Sequence, residues 1–110
     1  NSGNDCVDFS AGIYFIKKIL ASGCTDKAIS IGEKSKVIIG NSILENSFAG
    51  IVVKDSSILE LGKNKINTDY CILGYRKKQE FFGVVLNIKE KLNCKNDTLI
   101  QKGSVINYVF

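Results

Sequence analysis

A 110-residue chain with no His and no Trp can assemble neither a Ser-His-Asp nor a Cys-His nucleophile system, and it lacks the imidazole that zinc sites most often use. A hydrophobic fraction of 45% and a charged fraction of 24% exclude a disordered chain and fit one globular domain. The net charge of +4 comes from Lys scattered along the chain, not gathered in a stripe, so no nucleic-acid partner is expected.

The apolar runs fall well short of the roughly 18 residues a membrane-spanning helix needs, and no membrane partner is expected. Residues 1–20 lack the three-part pattern of a signal peptide. With no Met anywhere, the chain reads as an internal or processed segment.

Taken in order, the chain repeats itself. A first unit, residues 4–24, carries Val7, Asp8 and Phe9, then the apolar runs 13–16 and 19–20, and closes on Ser22 and Gly23. The second, 25–46, has Ile29, Ser30 and Ile31, then Val37, Ile38 and Ile39, then Ile43 and Leu44. The third, 47–68, has Ile51, Val52 and Val53, then Ile58 to Leu61, then Ile66. The fourth, 69–94, has Leu73, Gly74 and Tyr75, a longer connection, then Val84 to Ile88 and Leu92; a partial fifth, 95–110, supplies Leu99, Ile100 and the stretch from Val105. Each unit holds three short runs of β-prone residues separated by Gly, Asn, Ser and Lys.

Two columns recur about every 22 residues: Val7, Ile29, Ile51 and Leu73, and two positions on, Phe9, Ile31, Val53 and Tyr75. Such a recurrence marks a repeat architecture. Three strands per coil, stacked at about 4.8 Å, predict an all-β fold: a single right-handed parallel β-helix of four to five coils. Alternation places those two columns inside and Asp8, Ser30, Val52 and Gly74 outside. A mixed α+β domain with a helix over 84–94 is the competing reading, but it leaves the shared interval unexplained. Asn41 and Asn64 are expected to form a turn ladder between coils.

Corner positions after the first strand stack as Glu33, Asp55 and Lys77, flanked by Gly32, Lys54 and Arg76 and by Lys34, Ser56 and Lys78. Adjacent carboxylates need bracketing cations, which Lys54, Arg76 and Lys77 supply, and Asp5 with Lys27 forms a second mixed column. These are either exposed pairs that hold the coils in register or a surface for a ligand.

The runs Asn4-Asp5-Cys6-Val7-Asp8-Phe9-Ser10, Asp26-Lys27 to Glu33-Lys34-Ser35, Gly50-Ile51-Val52-Val53-Lys54-Asp55-Ser56-Ser57 and Tyr75-Arg76-Lys77-Lys78 resemble the right-handed parallel β-helix repeat of pectate-lyase-like bacterial surface and exported proteins, including CotH-associated ones. The resemblance covers nearly the whole chain, with Ala28 where a glycine is expected. It implies export or a cell-surface location. Its activities range from polysaccharide lyases, hydrolases and epimerases to non-catalytic stalks and carbohydrate-contacting modules. No Asp cluster matches a lyase calcium site, so no catalytic residue is carried over.

In the fourth unit, residues 79–83 lengthen the corner that follows Arg76, Lys77 and Lys78. Phe81 and Phe82 there either stack on sugar rings or cover the core. Cys6 with Cys24, and Cys71 with Cys94, do not share columns, so four free thiols are expected in the monomer, with a bridge between chains left open. No capping helix is visible at either end, which predicts an end-to-end homodimer or further coils.

The resulting expectation is a non-catalytic binding or structural module that contacts an acidic polysaccharide or a protein partner. Its ligand-binding residues would be Glu33, Lys54, Asp55, Tyr75, Arg76, Lys77, Lys78, Phe81 and Phe82, with no metal and no cofactor. The alternatives are an architectural spacer, or a lyase-like or epimerase-like polysaccharide enzyme in which Lys or Arg takes a proton beside a uronate carboxylate and calcium is bound.

Overall fold

The computed structural model describes residues 5–75, 83–101 and 103–109. Among them the regular structure is all strand: β1 (Asp5–Ser10), β2 (Ile13–Ile16), β3 (Ile19–Ser22), β4 (Lys27–Gly32), β5 (Lys36–Glu45), β6 (Ala49–Lys54), β7 (Ile58–Asn67), β8 (Tyr70–Tyr75), β9 (Val85–Ile88), β10 (Asn96–Ile100) and β11 (Val105–Tyr108). Residues 85–88, inside the stretch that the competing reading made helical, are strand.

One sheet runs β1-β4-β6-β8-β10. The other runs β11-β9-β7-β5-β2, with β3 also on β5. All the pairings are parallel. A parallel neighbour requires a long crossover, and here the crossover is the rest of the coil. The chain therefore climbs as a parallel β-solenoid of about four turns.

The aliphatic columns fill the space between the sheets. Ile29, Ile31, Val37, Ile39, Leu44, Ile51, Leu59, Leu61, Ile72, Leu86 and Ile88 are fully buried, each contributing on the order of 1.5–3 kcal/mol of transfer free energy. In the second and third coils the two later strands run on as one, β5 and β7, bent at Gly40 and Gly62. A Cβ on Gly62 would stand 2.6 Å from the Gly40 carbonyl oxygen, so the stacked bend needs glycine.

The register corrects three expectations. Val7 pairs with Ile29 and Ile29 with Ile51, but Ile51 pairs with Ile72 and Val53 with Gly74, one residue earlier than Leu73 and Tyr75. Two residues link β7 to β8 where three link β5 to β6, and that missing residue shifts the column. Asn41 pairs with Lys63 and Asn64 with Ser42, both within strands, so these asparagines form no ladder. An amide-to-amide contact between coils is instead made by Asn107 Nδ2, which donates to Asn87 Oδ1 at 2.9 Å, while Asn64 Nδ2 donates to the Glu90 carbonyl at 3.4 Å. On the outer face Asp8 is exposed, but Ser30 and Val52 exclude solvent as completely as the core does. They lie mid-sheet, flanked by strands on both sides, where a parallel sheet is commonly covered on both faces.

The cysteines are the fourth correction. Cys6 bridges Cys24 and Cys71 bridges Cys94, with Cα atoms 5.7 Å apart in each pair, so there are no four free thiols. Comparing columns between coils was the wrong test, because each bridge crosses a single coil. It joins the coil's first strand to the turn that follows its last strand path. Cys6, Ala28, Gly50 and Cys71 share one column by register. In the two middle coils the small Ala28 and Gly50 leave room for the buried Leu44 and Ile66; a Cβ on Gly50 would meet Ile66 Cγ2 at 2.8 Å.

Candidate functional site

The corner after the first strand is built on left-handed backbone. Glu33 and Lys34 have φ of 57° and 60°, and one coil on Asp55 and Ser56 have 56° and 62°. Lys34 N donates to the Asp55 carbonyl at 2.9 Å, which sets the two pairs side by side. Non-glycine residues in this region cost about 1–2 kcal/mol each. The turn is closed by serines: Ser35 Oγ donates to the Gly32 carbonyl, and Ser57 Oγ accepts from Ser35 N at 3.1 Å.

Of the sequence-predicted residues, Glu33, Lys54 and Asp55 come together around a hollow of about 200 Å³, with Asp8, Phe9, Ser10 and Gly32. Glu33 is exposed and accepts from Ser10 Oγ at 3.3 Å. Lys54 lays its stem over Gly32, where a Cβ would approach Lys54 Cε to 3.2 Å. Asp55 is only 1% exposed, so it is part of the wall and not a presented group. Lys54 pairs with Tyr75, the position the sequence reading gave to Arg76. Arg76, Lys77, Lys78, Phe81 and Phe82 lie outside the described residues. The described wall holds three carboxylates, Asp8, Glu33 and Asp55, against one ammonium.

A second site was not anticipated. Where each coil's last strand path turns toward the next coil, a groove of about 610 Å³ runs across four coils: Gly23, Cys24 and Thr25; Asn46, Ser47 and Phe48; Asn67, Thr68 and Asp69; and Lys95. Gly23 and Asn46, stacked by the β3–β5 register, both take left-handed backbone with φ of 72° and 58°. Asn46 Nδ2 donates to Ser22 Oγ at 3.2 Å, and Thr68 Oγ1 donates to the Tyr70 carbonyl at 2.6 Å. The side chains of Thr25, Asn67, Asp69 and Lys95 are exposed and make no hydrogen bond or ion pair among the described residues. Phe48 is 46% exposed and rests against Tyr70, ring centroids 5.3 Å apart. The sequence signal was present as Asn, Ser or Thr at successive coil ends, but it reads as ordinary turn chemistry until stacking lines the turns up.

Beside this groove Lys27 Nζ lies 3.2 Å from Asp5 Oδ1 and 2.9 Å from Asp26 Oδ2, the mixed column expected from sequence. Burial disfavours its charge, but the hydrogen bonds to Asp26 and Asp5 and the two negative charges outweigh it, and its pKa is raised. Among the described residues no three carboxylate or thiol side chains converge as a metal site, and no helix is long and apolar enough to cross a membrane. No family model, no curated protein and no solved structure matches the chain.

Proposed function

We propose that this protein is a non-catalytic β-solenoid module that binds a carbohydrate or a protein partner along the polar groove at its coil ends. The observation that carries the reading is that Thr25, Asn67, Asp69 and Lys95 have no side-chain partner among the described residues and line one groove with a half-exposed aromatic ring among them. Lys27, by contrast, pairs with Asp5 and Asp26, and Glu60 bridges Lys36 and Lys89 across coils. A concave surface with a few convergent polar groups on a rigid scaffold is the ordinary form of a binding site.

The resemblance to pectate-lyase-like exported proteins supports the same reading. So do the two disulfides, which are stable in oxidising compartments. An end-to-end homodimer belongs to the proposal as well: Ile13, Phe15 and Leu20 on β2 and β3, and Leu99, Val105 and Tyr108 on β10 and β11, are large apolar residues left exposed on the outermost strands. Sedimentation velocity at high concentration tests it, and a single monomeric species removes it.

The binding reading is tested on glycan and peptide arrays with the parent protein and an Asn67→Ala/Asp69→Ala variant. Retention of some ligand class by the parent and its loss in the variant is the expected result. Equal signals from both, or none from the parent, would contradict it.

A further inference from the structure

We infer that the protein lies against an anionic lipid surface through the outer face of the sheet formed by β2, β3, β5, β7, β9 and β11; this does not depend on what the groove binds. The lysines are scattered along the chain, but stacking gathers them on this side. The pairings of Ile16 with Ile39 and of Ile19 with Ser42 bracket Lys17 and Lys18, which therefore stand beside Gly40 and Asn41. One coil on, Asn41 pairs with Lys63 and Ile43 with Lys65. In the coil after that, Lys89 N donates to the Leu61 carbonyl at 2.9 Å, and Lys91 lines a hollow of about 380 Å³ together with Lys65.

All six of these lysines are exposed. Among the described residues only Lys89 of the six has an acidic partner, Glu60 at 3.7 Å, and Glu60 is shared with Lys36 at 3.8 Å. Glu45 and Glu90 are the other acids on this side, so positive charge is left over. An ammonium on a flexible four-carbon stem can follow an uneven layer of phosphate and carboxylate headgroups, and each one near such a surface adds to the attraction.

Lysines alone would suit any polyanion, and the apolar groups on the same face choose among them. Ile13, Phe15 and Leu20 are 68%, 73% and 63% exposed and flank Lys17 and Lys18 along the chain. They alternate with Tyr14, Ile16 and Ile19, which pack on the core, so they point out of the sheet's face and not along its open edge. A second copy stacked on that edge would leave them uncovered. Phe15 pairs with the half-buried Ile38 and Leu20 with the half-buried Ile43, which carries the apolar strip up to Lys63 and Lys65. A dissolved polyanion has a use for the ammoniums and none for a bare aromatic ring. An anionic leaflet takes both, the charges at its headgroups and Phe15 and Leu20 at the boundary with the acyl chains. Attachment of this kind needs no spanning helix, which is all that the short apolar runs exclude.

The test is flotation of the protein with phosphatidylcholine vesicles that contain about one-third phosphatidylserine, with pure phosphatidylcholine vesicles and immobilised heparin as separate arms. The expected result is saturable binding to the anionic vesicles at about 0.15 M salt, release at about 1 M, and little binding to the neutral ones. Lys63→Ala/Lys65→Ala should weaken anionic-vesicle binding about 30-fold. Phe15→Ser/Leu20→Ser should weaken it about tenfold and leave heparin retention as in the parent. All four side chains are exposed, so thermal melts should match the parent's; Lys17→Gln/Lys18→Gln, in the turn between β2 and β3, gives a second reading should either variant unfold. Vesicle binding that Phe15→Ser/Leu20→Ser leaves unchanged, equal binding to neutral vesicles, or retention on heparin with no vesicle binding would overturn the lipid inference, the last assigning the lysines to a dissolved polyanion. No binding in any arm would remove this face as a site and leave the groove reading standing.

Discussion

Removing the bridge in the fourth coil should cost far more than its two sulfur atoms suggest. Cys71 and Cys94 close a loop with a sequence separation of 23, and Cys71 is fully buried in the column that also holds Gly50. In the chain-entropy account, opening such a loop returns about 3 kcal/mol to the unfolded state. For a domain near 100 residues each kcal/mol is worth about 4–8 °C in Tm, so Cys71→Ala/Cys94→Ala should lower Tm by roughly 12–24 °C. The Cys6–Cys24 loop, separation 18, has nearly the same entropic value, but it lies in the edge coil, where β1, β2 and β3 each have a neighbour on one side only. Its loss should appear first as faster hydrogen exchange in β1 to β3, and only secondarily in Tm. Thermal melts by circular dichroism, hydrogen exchange, and intact mass before and after alkylation under non-reducing conditions make the comparison. An unchanged Tm in the Cys71/Cys94 variant, or uptake of alkylating reagent by the unreduced parent, would refute the reasoning.

Gly62→Ala forces a methyl to 2.6 Å from the Gly40 carbonyl; a loss of about 1–3 kcal/mol is expected in denaturant melts, and a neutral result would mean that the bend is not stacked as described. Ala11, exposed at φ 51°, should give about 0.5–1 kcal/mol of added stability as Ala11→Gly and a loss as Ala11→Val, and the reverse order would argue against a left-handed corner there. The raised pKa of Lys27 stabilises the fold fully below the unfolded-state value of about 10.4 and is lost as pH climbs through the higher folded value. Lys27→Met should therefore flatten stability above about pH 10.4, and parallel profiles for parent and variant would contradict that sign.

The solenoid was legible because stacking repeats one constraint: Val7, Ile29 and Ile51 occupy like positions and are alike in kind. Legibility failed where two neighbours were equally suitable. Ile72 and Leu73 are both aliphatic, and only the shortened turn between β7 and β8 decides which of them faces the core. The bridges were missed because a repeat interval compares residues between coils and is silent on distances across one. The groove was missed for a related reason. Asn46, Phe48, Asn67 and Lys95 each look like solvated turn residues, and their common surface exists only after the coils are stacked. The charged corner was found as a cluster, but Asp55 is walled in and not displayed, a distinction that depends on what packs over it.

The most direct test of the stacked-coil account is a nuclear Overhauser spectrum of the folded protein, read for backbone contacts between coils. Contacts linking Val7 to Ile29, Ile29 to Ile51 and Ile51 to Ile72 are predicted by the parallel register. Contacts from Ile51 to Leu73 would break the register of the fourth coil, and an absence of contacts between these positions would contradict the solenoid itself.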